Sequence, residues 1–311
     1  MIAFLFPGQG SQSVGMGKAF YETSRAAKAV FEEANDALGW SLTRLAFEGP
    51  ETELALTANT QPAVLTASVA AAAACAERGL RPALAAGHSL GEYSALVVAG
   101  ALRFVDAVRL VRKRGEFMQE AVPVGTGAMA AVMGLEVAAV EQLCAEAADG
   151  QVVDVANINS SGQIVIAGHR PAVERAVALA ARGGGKKSVM LPVSAPFHSS
   201  LMAPAAARLR PELEAVTMAD PRFPVARNVD GALVRAAADV TPSLLGQVAS
   251  PVRWTDCVAR LAAEGATAFV EVGPGRVLTG LLRRILDGTR GHSIEDPDGL
   301  EKAVAALGSA G

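Results

Sequence analysis

Short apolar runs separated by longer amphipathic segments recur along the chain, and this pattern predicts an α/β fold. Runs of strand length cover Ile2 to Phe6, the residues that lead to Gly87, and Ala268 to Val272. Pro7 interrupts the first run, because proline has no N–H to donate to a strand neighbour. We therefore expect buried strands at these three places.

Most of residues 20–80 follow a helical period. Phe31, Ala34 and Leu38 lie at helical spacing, and Gly39 ends that helix. Gln61-Pro62 is predicted to begin a long alanine-rich helix, whose small side chains favour close packing. Near the other end of the chain, a helix through Leu286 and a polar tail follow the last strand.

The periodicity changes near Val124-Gly-Thr-Gly127, and residues 125–194 form a pattern of their own. The predicted order is strand, helix, strand, strand, helix, strand, which is the βαββαβ arrangement of ferredoxin-like folds. We expect a small subdomain inserted into a larger one formed by residues 1–124 and 195–311. Asn157 and Asn159 face the cleft between the subdomains or, as the simpler explanation, form the turn at Ser160-Ser-Gly162. The four strands of this unit are predicted at residues 128–133, 152–158, 163–167 and 187–193, and the two helices at residues 137–148 and 171–181.

The residues Gly87-His-Ser-Leu-Gly91 follow a strand and precede a helix, and they match the pattern G-x-S-x-G of a nucleophile elbow. The two glycines allow a tight turn, from which Ser89 projects. N–H groups at the start of the following helix can then stabilise an oxyanion. The motif indicates a serine nucleophile that attacks a carbonyl group.

Arg114 interrupts the apolar face of a helix predicted over residues 104–121. Ala107, Val111 and Met118 share that face with Arg114, so its guanidinium points inward. A buried, unpaired guanidinium is costly, and it therefore requires an anion. That anion is either a carboxylate of the core, in a structural salt bridge, or the carboxylate of a substrate held by a bidentate clamp.

Composition excludes several classes of function. The chain has 311 residues, of which 51% are hydrophobic and 19% charged. Its net charge of −3 gives no indication of the basic surface that binds nucleic acid. No apolar stretch is long enough to span a membrane, and no basic leader precedes the first strand. The cysteines and the four histidines lack metal-ligand spacing. We expect a cytoplasmic, monomeric protein whose three cysteines are buried in helices: Cys75, Cys144 and Cys257.

The loop Gly8–Gly15 follows the first strand and offers a competing interpretation, a dinucleotide-binding loop. Its third glycine position holds Ser13, and no acidic ribose ligand is evident. The same loop can instead place the side chain of Gln9 or Gln12 beside an oxyanion. The non-enzymatic alternative is therefore that the protein is a nucleotide-binding or docking module.

His198 is the most suitable base for Ser89. It follows a predicted strand in the Pro-containing turn 194–199, whereas the side chain of His88 must leave the elbow in another direction. A hydrolase triad would add a carboxylate, and no motif points to one. Gln247, near the end of a predicted helix, can hold the imidazole through its amide or its backbone carbonyl. A serine esterase or thioesterase is therefore the alternative enzyme.

Five segments together resemble the malonyl-CoA:acyl carrier protein transacylases. They are Phe6–Gln12, Gly87–Ser94, Arg114–Gln119, Ser194–His198 and Val270–Gly275, and they follow the order of that family over nearly the whole chain. The resemblance implies an α/β-hydrolase-like large subdomain with a parallel sheet and an inserted ferredoxin-like subdomain. It also implies malonyl transfer to the thiol of acyl carrier protein in fatty-acid or polyketide synthesis, with malonyl-CoA as substrate and no cofactor.

The resemblance also implies roles for single residues. Ser89 would be the acylated nucleophile and His198 its base, with Gln247 positioning the histidine. Arg114 would bind the malonyl carboxylate, and Gln9 with the backbone N–H of Leu90 would form the oxyanion hole. The bulky Phe197 resembles malonyl-selective members of the wider family. Cations that can meet an acidic carrier protein are Arg182, Lys186, Lys187, Arg283 and Arg284.

Overall fold

Two sheets organise the computed structural model, which describes residues 1–193 and 195–308. The strands, in chain order, are β1 (Ile2–Phe6), β2 (Leu84–Gly87), β3 (Gly127–Met133), β4 (Val153–Ser160), β5 (Gln163–His169), β6 (Lys187–Met190), β7 (Val225–Ala226), β8 (Leu233–Val234), β9 (Ala268–Val272) and β10 (His292–Ile294). The large sheet has the order β10-β9-β1-β2-β7-β8 and is parallel except for the β7–β8 pair. The small, antiparallel sheet has the order β4-β5-β3-β6.

Helices cover both faces of the large sheet. The α-helices are α1 (Lys18–Thr23), α2 (Arg25–Leu38), α3 (Leu42–Glu48), α4 (Glu51–Leu54), α5 (Thr57–Glu77), α6 (Gly91–Ala99), α7 (Phe104–Glu120), α8 (Val137–Ala147), α9 (Arg170–Arg182), α10 (Ala203–Glu214), α11 (Ala237–Val248), α12 (Trp254–Ala263), α13 (Val277–Ile285) and α14 (Pro297–Leu307). Along β1, Phe4 and Phe6 pack into the core that contains α5, while Ala3 and Leu5 pack into the core that contains α12. This alternation follows from the two-residue period of a strand.

The predicted fold class is confirmed: the parallel sheet and the separate βαββαβ unit are both present. Helices α8 and α9 cover one face of the small sheet and share a core with it. The subdomain bounds at 124/125 and 194/195 stay a prediction, and Ser194 and residues 309–311 lie outside the described residues. The three cysteines are free and buried, in α5, α8 and α12, as expected.

Helix α5 begins earlier than predicted, at Thr57, so that Pro62 lies inside it. A proline at this position cannot donate to the carbonyl of Ala58 four residues before it. Arg112 Nη1 donates to that carbonyl at 3.2 Å, and the orphaned acceptor is thereby satisfied. The consequence for the site is that Gln61 lies within the helix and is buried.

Two further predictions about the elements were wrong. The last strand of the insert ends at Met190 and not at residue 193, because Pro192 cannot continue the ladder. The polar tail contains β10, which pairs parallel with β9, and α14, whose first turn Asp296 caps by accepting from Gly299 N. Ile294 and Leu300 of this segment are buried, and a pattern this short is not visible as a period.

Candidate active site

Ser89 occupies the sharp turn between β2 and α6, at the carboxyl end of the parallel sheet. Its φ of 52° is strained for a residue with a side chain. A Cβ on Gly87 would lie 1.8 Å from the carbonyl carbon of Gly91, and a Cβ on Gly91 would lie 2.1 Å from Phe6 O. The close approach of three backbone segments therefore requires both glycines and presents the Ser89 hydroxyl at the edge of the sheet.

His198 reaches the elbow from the loop that follows the insert. Its Nε2 lies 2.7 Å from Ser89 Oγ, and its Nδ1 lies 2.9 Å from the backbone carbonyl oxygen of Gln247. Burial and the nearby charge of Arg114 lower the pKa of His198 to about 3, against the effect of the Gln247 hydrogen bond. The imidazole is therefore neutral at pH 7, with Nδ1–H donating to the carbonyl and Nε2 free to accept the serine proton.

Arg114 points inward from α7, as its position on the apolar face predicts, and is 2% exposed. Nη1 donates to Gln61 Oε1 at 2.7 Å, while Nη2 donates to Gln247 Oε1 at 2.9 Å and to Ser89 Oγ at 3.2 Å. Its Nε is buried and has no partner in the part of the chain described. Among the described residues, no carboxylate forms a salt bridge with the guanidinium, so the structural alternative lacks its partner. The positive charge lies beside Ser89 Oγ.

A cavity of about 480 Å³ opens in front of Ser89, between the two subdomains. Its walls come from the loop after β1, from α5 and α7, and from β3, β4 and the segments 191–193 and 197–198 of the insert side. The lining residues are Gln9, Gly10, Gln12, Ala55, Gln61, His88, Ser89, Arg114, Met118, Met129, Asn157, Leu191, Pro192, Val193, Phe197 and His198.

The two predicted oxyanion donors are Gln9 and Leu90. The side chain of Gln9 lines the cavity and donates through Nε2 to Thr57 Oγ1 at 3.1 Å. Leu90 follows the nucleophile at the start of α6, where the first N–H groups of a helix have no intrahelical acceptor. The remaining candidate of that loop, Gln12, accepts from Gly10 N at 2.7 Å.

Gln61, Glu92 and Asn228 belong to the site, although the sequence pattern did not single them out. Asn228 Oδ1 accepts from Ser89 N at 2.7 Å, and its Nδ2 donates to Gly87 O at 2.8 Å, which holds both sides of the elbow. All three are fully buried polar residues. The sequence around Asn228 and Gln61 is itself polar, with Arg227 and Asp230 beside the first and Asn59 and Thr60 before the second, so no local signal of the kind that identified Arg114 marked them.

His88 leaves the elbow away from Ser89, as expected, and connects the subdomains. Its Nε2 lies 2.9 Å from Asn159 Oδ1, and its ring packs against Trp254 at 5.5 Å between centroids. Asn157 and Asn159 therefore belong to β4 and face the cleft, and the turn explanation was wrong because β4 extends to Ser160. The contact fixes the insert, and with it one wall of the cavity, against the elbow.

The arrangement supports nucleophilic acyl transfer at a substrate that carries a negative charge. A serine hydroxyl, a neutral imidazole and a buried guanidinium meet within hydrogen-bond distance. Across residues 1–193 and 195–308, no cluster of His, Cys, Asp and Glu has the geometry to hold a metal ion. In the same range, no helix combines the length and apolar character needed to cross a bilayer.

Comparison with known proteins assigns the family. The family model of the acyl transferase domain matches residues 3–296. The chain belongs to the acyl transferase domain family. This acyl transferase is 49% identical over 307 residues to the "Malonyl CoA-acyl carrier protein transacylase" of Bacillus subtilis strain 168, which covers 98% of this chain and 97% of that protein. It is 50% identical over 303 residues to the enzyme of the same name from Escherichia coli K12, covering 97% and 98%.

Solved structures resemble this acyl transferase over nearly its whole length. An acyl-carrier-protein S-malonyltransferase from Burkholderia pseudomallei 1710b is 48% identical, with a TM-score of 0.95 and coverage of 98% of this chain and 99% of that one. A malonyl-transacylase in complex with its type II PKS acyl-carrier protein is 45% identical, also with a TM-score of 0.95, and covers 98% and 99%. The two-subdomain fold is therefore that of the family.

Proposed function

We propose that this acyl transferase moves a malonyl group from malonyl-CoA to the phosphopantetheine thiol of an acyl carrier protein, through a malonyl-Ser89 intermediate. The observation that carries the proposal is the 3.2 Å distance from Arg114 Nη2 to Ser89 Oγ, because it puts a buried cation beside the nucleophile. A malonyl thioester has its carbonyl and its free carboxylate on either side of one methylene, which matches that separation. The names of relatives that are 49% and 50% identical support the same substrate and acceptor.

In the first half-reaction, the malonyl carboxylate binds Arg114 and the thioester carbonyl lies over Ser89. Ser89 Oγ attacks the carbonyl carbon while His198 Nε2 takes the hydroxyl proton. Leu90 N–H and Gln9 hold the oxyanion that forms. The C–S bond then breaks, the proton passes from His198 to the coenzyme A sulfur, and malonyl-Ser89 remains.

In the second half-reaction, the carrier's thiol enters the same cavity. Its proton passes to His198 Nε2, its sulfur attacks the ester carbonyl, and Ser89 leaves and recovers the proton. The sum is one malonyl group transferred, with coenzyme A thiol and malonyl carrier protein as products, in a ping-pong order. The reaction needs no cofactor, because the nucleophile, the base and the cation are all side chains of this chain.

Two features favour a thiol acceptor over water. His198 donates to a neutral carbonyl where a triad has a carboxylate, so it is a weaker base than a triad histidine and takes a proton more readily from a thiol than from the far less acidic water. Apolar side chains of both subdomains, among them Met118, Met129 and Phe197, line the cavity and limit the room for water. Phe197 is also a bulky residue of the cavity wall, and a bulky side chain there favours malonyl over a methyl-branched group.

Mixing the protein with malonyl-CoA and holo acyl carrier protein tests the proposal. The expected product is malonyl carrier protein, detected by mass, and apo carrier without phosphopantetheine is the matched control. Release of free malonate at the same rate with and without carrier would favour the esterase or thioesterase alternative. We further propose that the protein acts as a cytoplasmic monomer and does not bind nucleic acid or membranes.

A further inference from the structure

Glu92 is a fully buried carboxylate one turn after Ser89, and it does not line the cavity. Ser243 Oγ donates to its Oε1 at 2.5 Å, and Asn228 N donates to its Oε2 at 3.0 Å. The third partner is Gln247, whose Nε2 donates to Oε2 at 2.8 Å. A carboxylate with this many partners, placed so near the nucleophile, has no part in the half-reactions above.

The partners of Glu92 favour its ionised form against the effect of burial. A backbone N–H and a side-chain amide both donate to its Oε2, which is therefore an acceptor toward both. Burial raises the pKa of Glu92, while these hydrogen bonds and the positive charge of Arg114 oppose that rise. The Glu92 carboxyl group and the Arg114 guanidinium thus lie on either side of one amide, that of Gln247.

The amide of Gln247 can satisfy its neighbours in one orientation only. Nε2 donates to Glu92 Oε2 and to Ser89 O at 2.9 Å, both of which are acceptors. Oε1 accepts from Arg114 Nη2, which is a donor. Exchanging the amide oxygen and nitrogen would set oxygen against the Glu92 carboxylate and N–H against the guanidinium, and both contacts would be repulsive.

We propose that Glu92 is a positioning residue for the transfer reaction: its carboxylate fixes the amide of Gln247 so that Oε1 holds the Arg114 guanidinium beside Ser89. In a hydrolase triad the carboxylate contacts the histidine directly. Here the carboxylate of Glu92 contacts Gln247, and through it positions the guanidinium of Arg114. This inference rests on the proposed function, because it assigns Arg114 to the malonyl carboxylate.

We call the contacts from Glu92 through the Gln247 amide to Arg114 the relay. A double-mutant cycle on Glu92 and Gln247 tests it. Glu92→Gln keeps the shape of the side chain and removes the charge, and Gln247→Ala removes the amide but keeps the backbone carbonyl that holds His198. We expect Glu92→Gln to lower kcat/KM for malonyl-CoA by about 10- to 100-fold, the usual effect of losing a charged hydrogen-bond partner. In the Gln247→Ala background, the same substitution should cost less than about threefold, because the relay is already absent.

Glu271→Gln is the matched control. Glu271 is also fully buried, and it accepts hydrogen bonds from Leu278 N, Thr279 N and the Thr279 hydroxyl, outside the cavity. Its neutralisation should lower the unfolding midpoint while kcat/KM stays within about threefold in both Gln247 backgrounds. If Glu92→Gln does not fold, Glu92→Asp replaces it in the cycle, since the shorter carboxylate cannot reach Gln247.

The outcomes separate the two proposals. Equal losses from Glu92→Gln in both backgrounds, or no loss in either, would overturn the relay while leaving malonyl transfer intact. Absence of malonyl transfer by the unmodified protein would instead overturn the proposed function. A tenfold or greater loss that disappears in the Gln247→Ala background supports the positioning role, because a merely structural effect would persist there.

Discussion

His198 Nδ1 lies 2.9 Å from the backbone carbonyl oxygen of Gln247, at the place where a hydrolase triad has a carboxylate. A carbonyl orients the imidazole and selects the Nδ1–H tautomer without adding a negative charge. The same residue offers its side-chain oxygen to Arg114 at 2.9 Å. Gln247 therefore connects the imidazole of His198 to the guanidinium of Arg114, and substitutions at the two residues test their proposed roles separately.

Replacing Arg114 should affect malonyl transfer selectively. Loss of the charged hydrogen bonds to a substrate carboxylate costs about 1.5–3 kcal/mol each, so we expect Arg114→Ala to lower kcat/KM for malonyl-CoA by at least about 10- to 100-fold. Acetyl-CoA carries no carboxylate, and its transfer should change only a few-fold. Steady-state rates with both thioesters measure the difference, and equal losses would mean that Arg114 is structural.

The pH dependence of acylation should differ from that of an ordinary histidine. Because the pKa of His198 is lowered to about 3, the neutral base persists well below the usual value of about 6.5. The rate of Ser89 acylation, followed by rapid quench between pH 5 and 8, should show no acid limb near pH 6.5. An inflection at that pH, absent from the His198→Gln variant, would contradict the lowered pKa.

The same shift predicts a stability effect with a definite sign. The unfolded chain binds a proton at His198 below about pH 6.5, whereas the folded chain resists it down to about pH 3, so the free energy of unfolding decreases as pH falls through that window. In urea titrations at pH 7 and pH 5, His198→Gln should lose less stability on acidification than the unmodified protein. Identical pH dependence of the two proteins would be inconsistent with a buried, neutral imidazole.

The elbow should tolerate no side chain at position 91. A Cβ there would lie 2.1 Å from Phe6 O, a backbone atom that cannot move without displacing β1. We expect Gly91→Ala to lower the free energy of unfolding by at least about 2 kcal/mol. Gly280, exposed in α13 with open space around it, is the matched control, and its replacement by Ala should be neutral or stabilise by up to about 1 kcal/mol. Urea midpoints compare the two, and similar effects would refute the packing argument.

Local patterns were sufficient for the large features of the fold and for half of the site. The elbow is a contiguous motif, and Arg114 breaks a helical period, so both are visible within a few residues of sequence. The helix start at Thr57 was missed because a proline usually opens a helix, and only the distant Arg112 makes Pro62 tolerable inside one.

The remaining site residues depend on contacts between distant segments. Asn228 meets Ser89 across 139 positions and Gln247 meets Glu92 across 155, and no local period reports such pairs. The short tail strand β10 was missed for a related reason, because its three residues acquire their strand character by pairing with β9. Asn228 lies between Arg227 and Asp230 in the sequence, so nothing local distinguishes it from an ordinary surface residue.

The central claim is that Ser89 carries the malonyl group between the two half-reactions. Intact mass after incubation with malonyl-CoA, in the absence of carrier protein, measures this directly. The account predicts one malonyl adduct that persists, that is absent from the Ser89→Ala variant, and that disappears when holo carrier protein is added. Malonyl transfer at an unchanged rate by Ser89→Ala, or an adduct that holo carrier protein fails to remove, would contradict it.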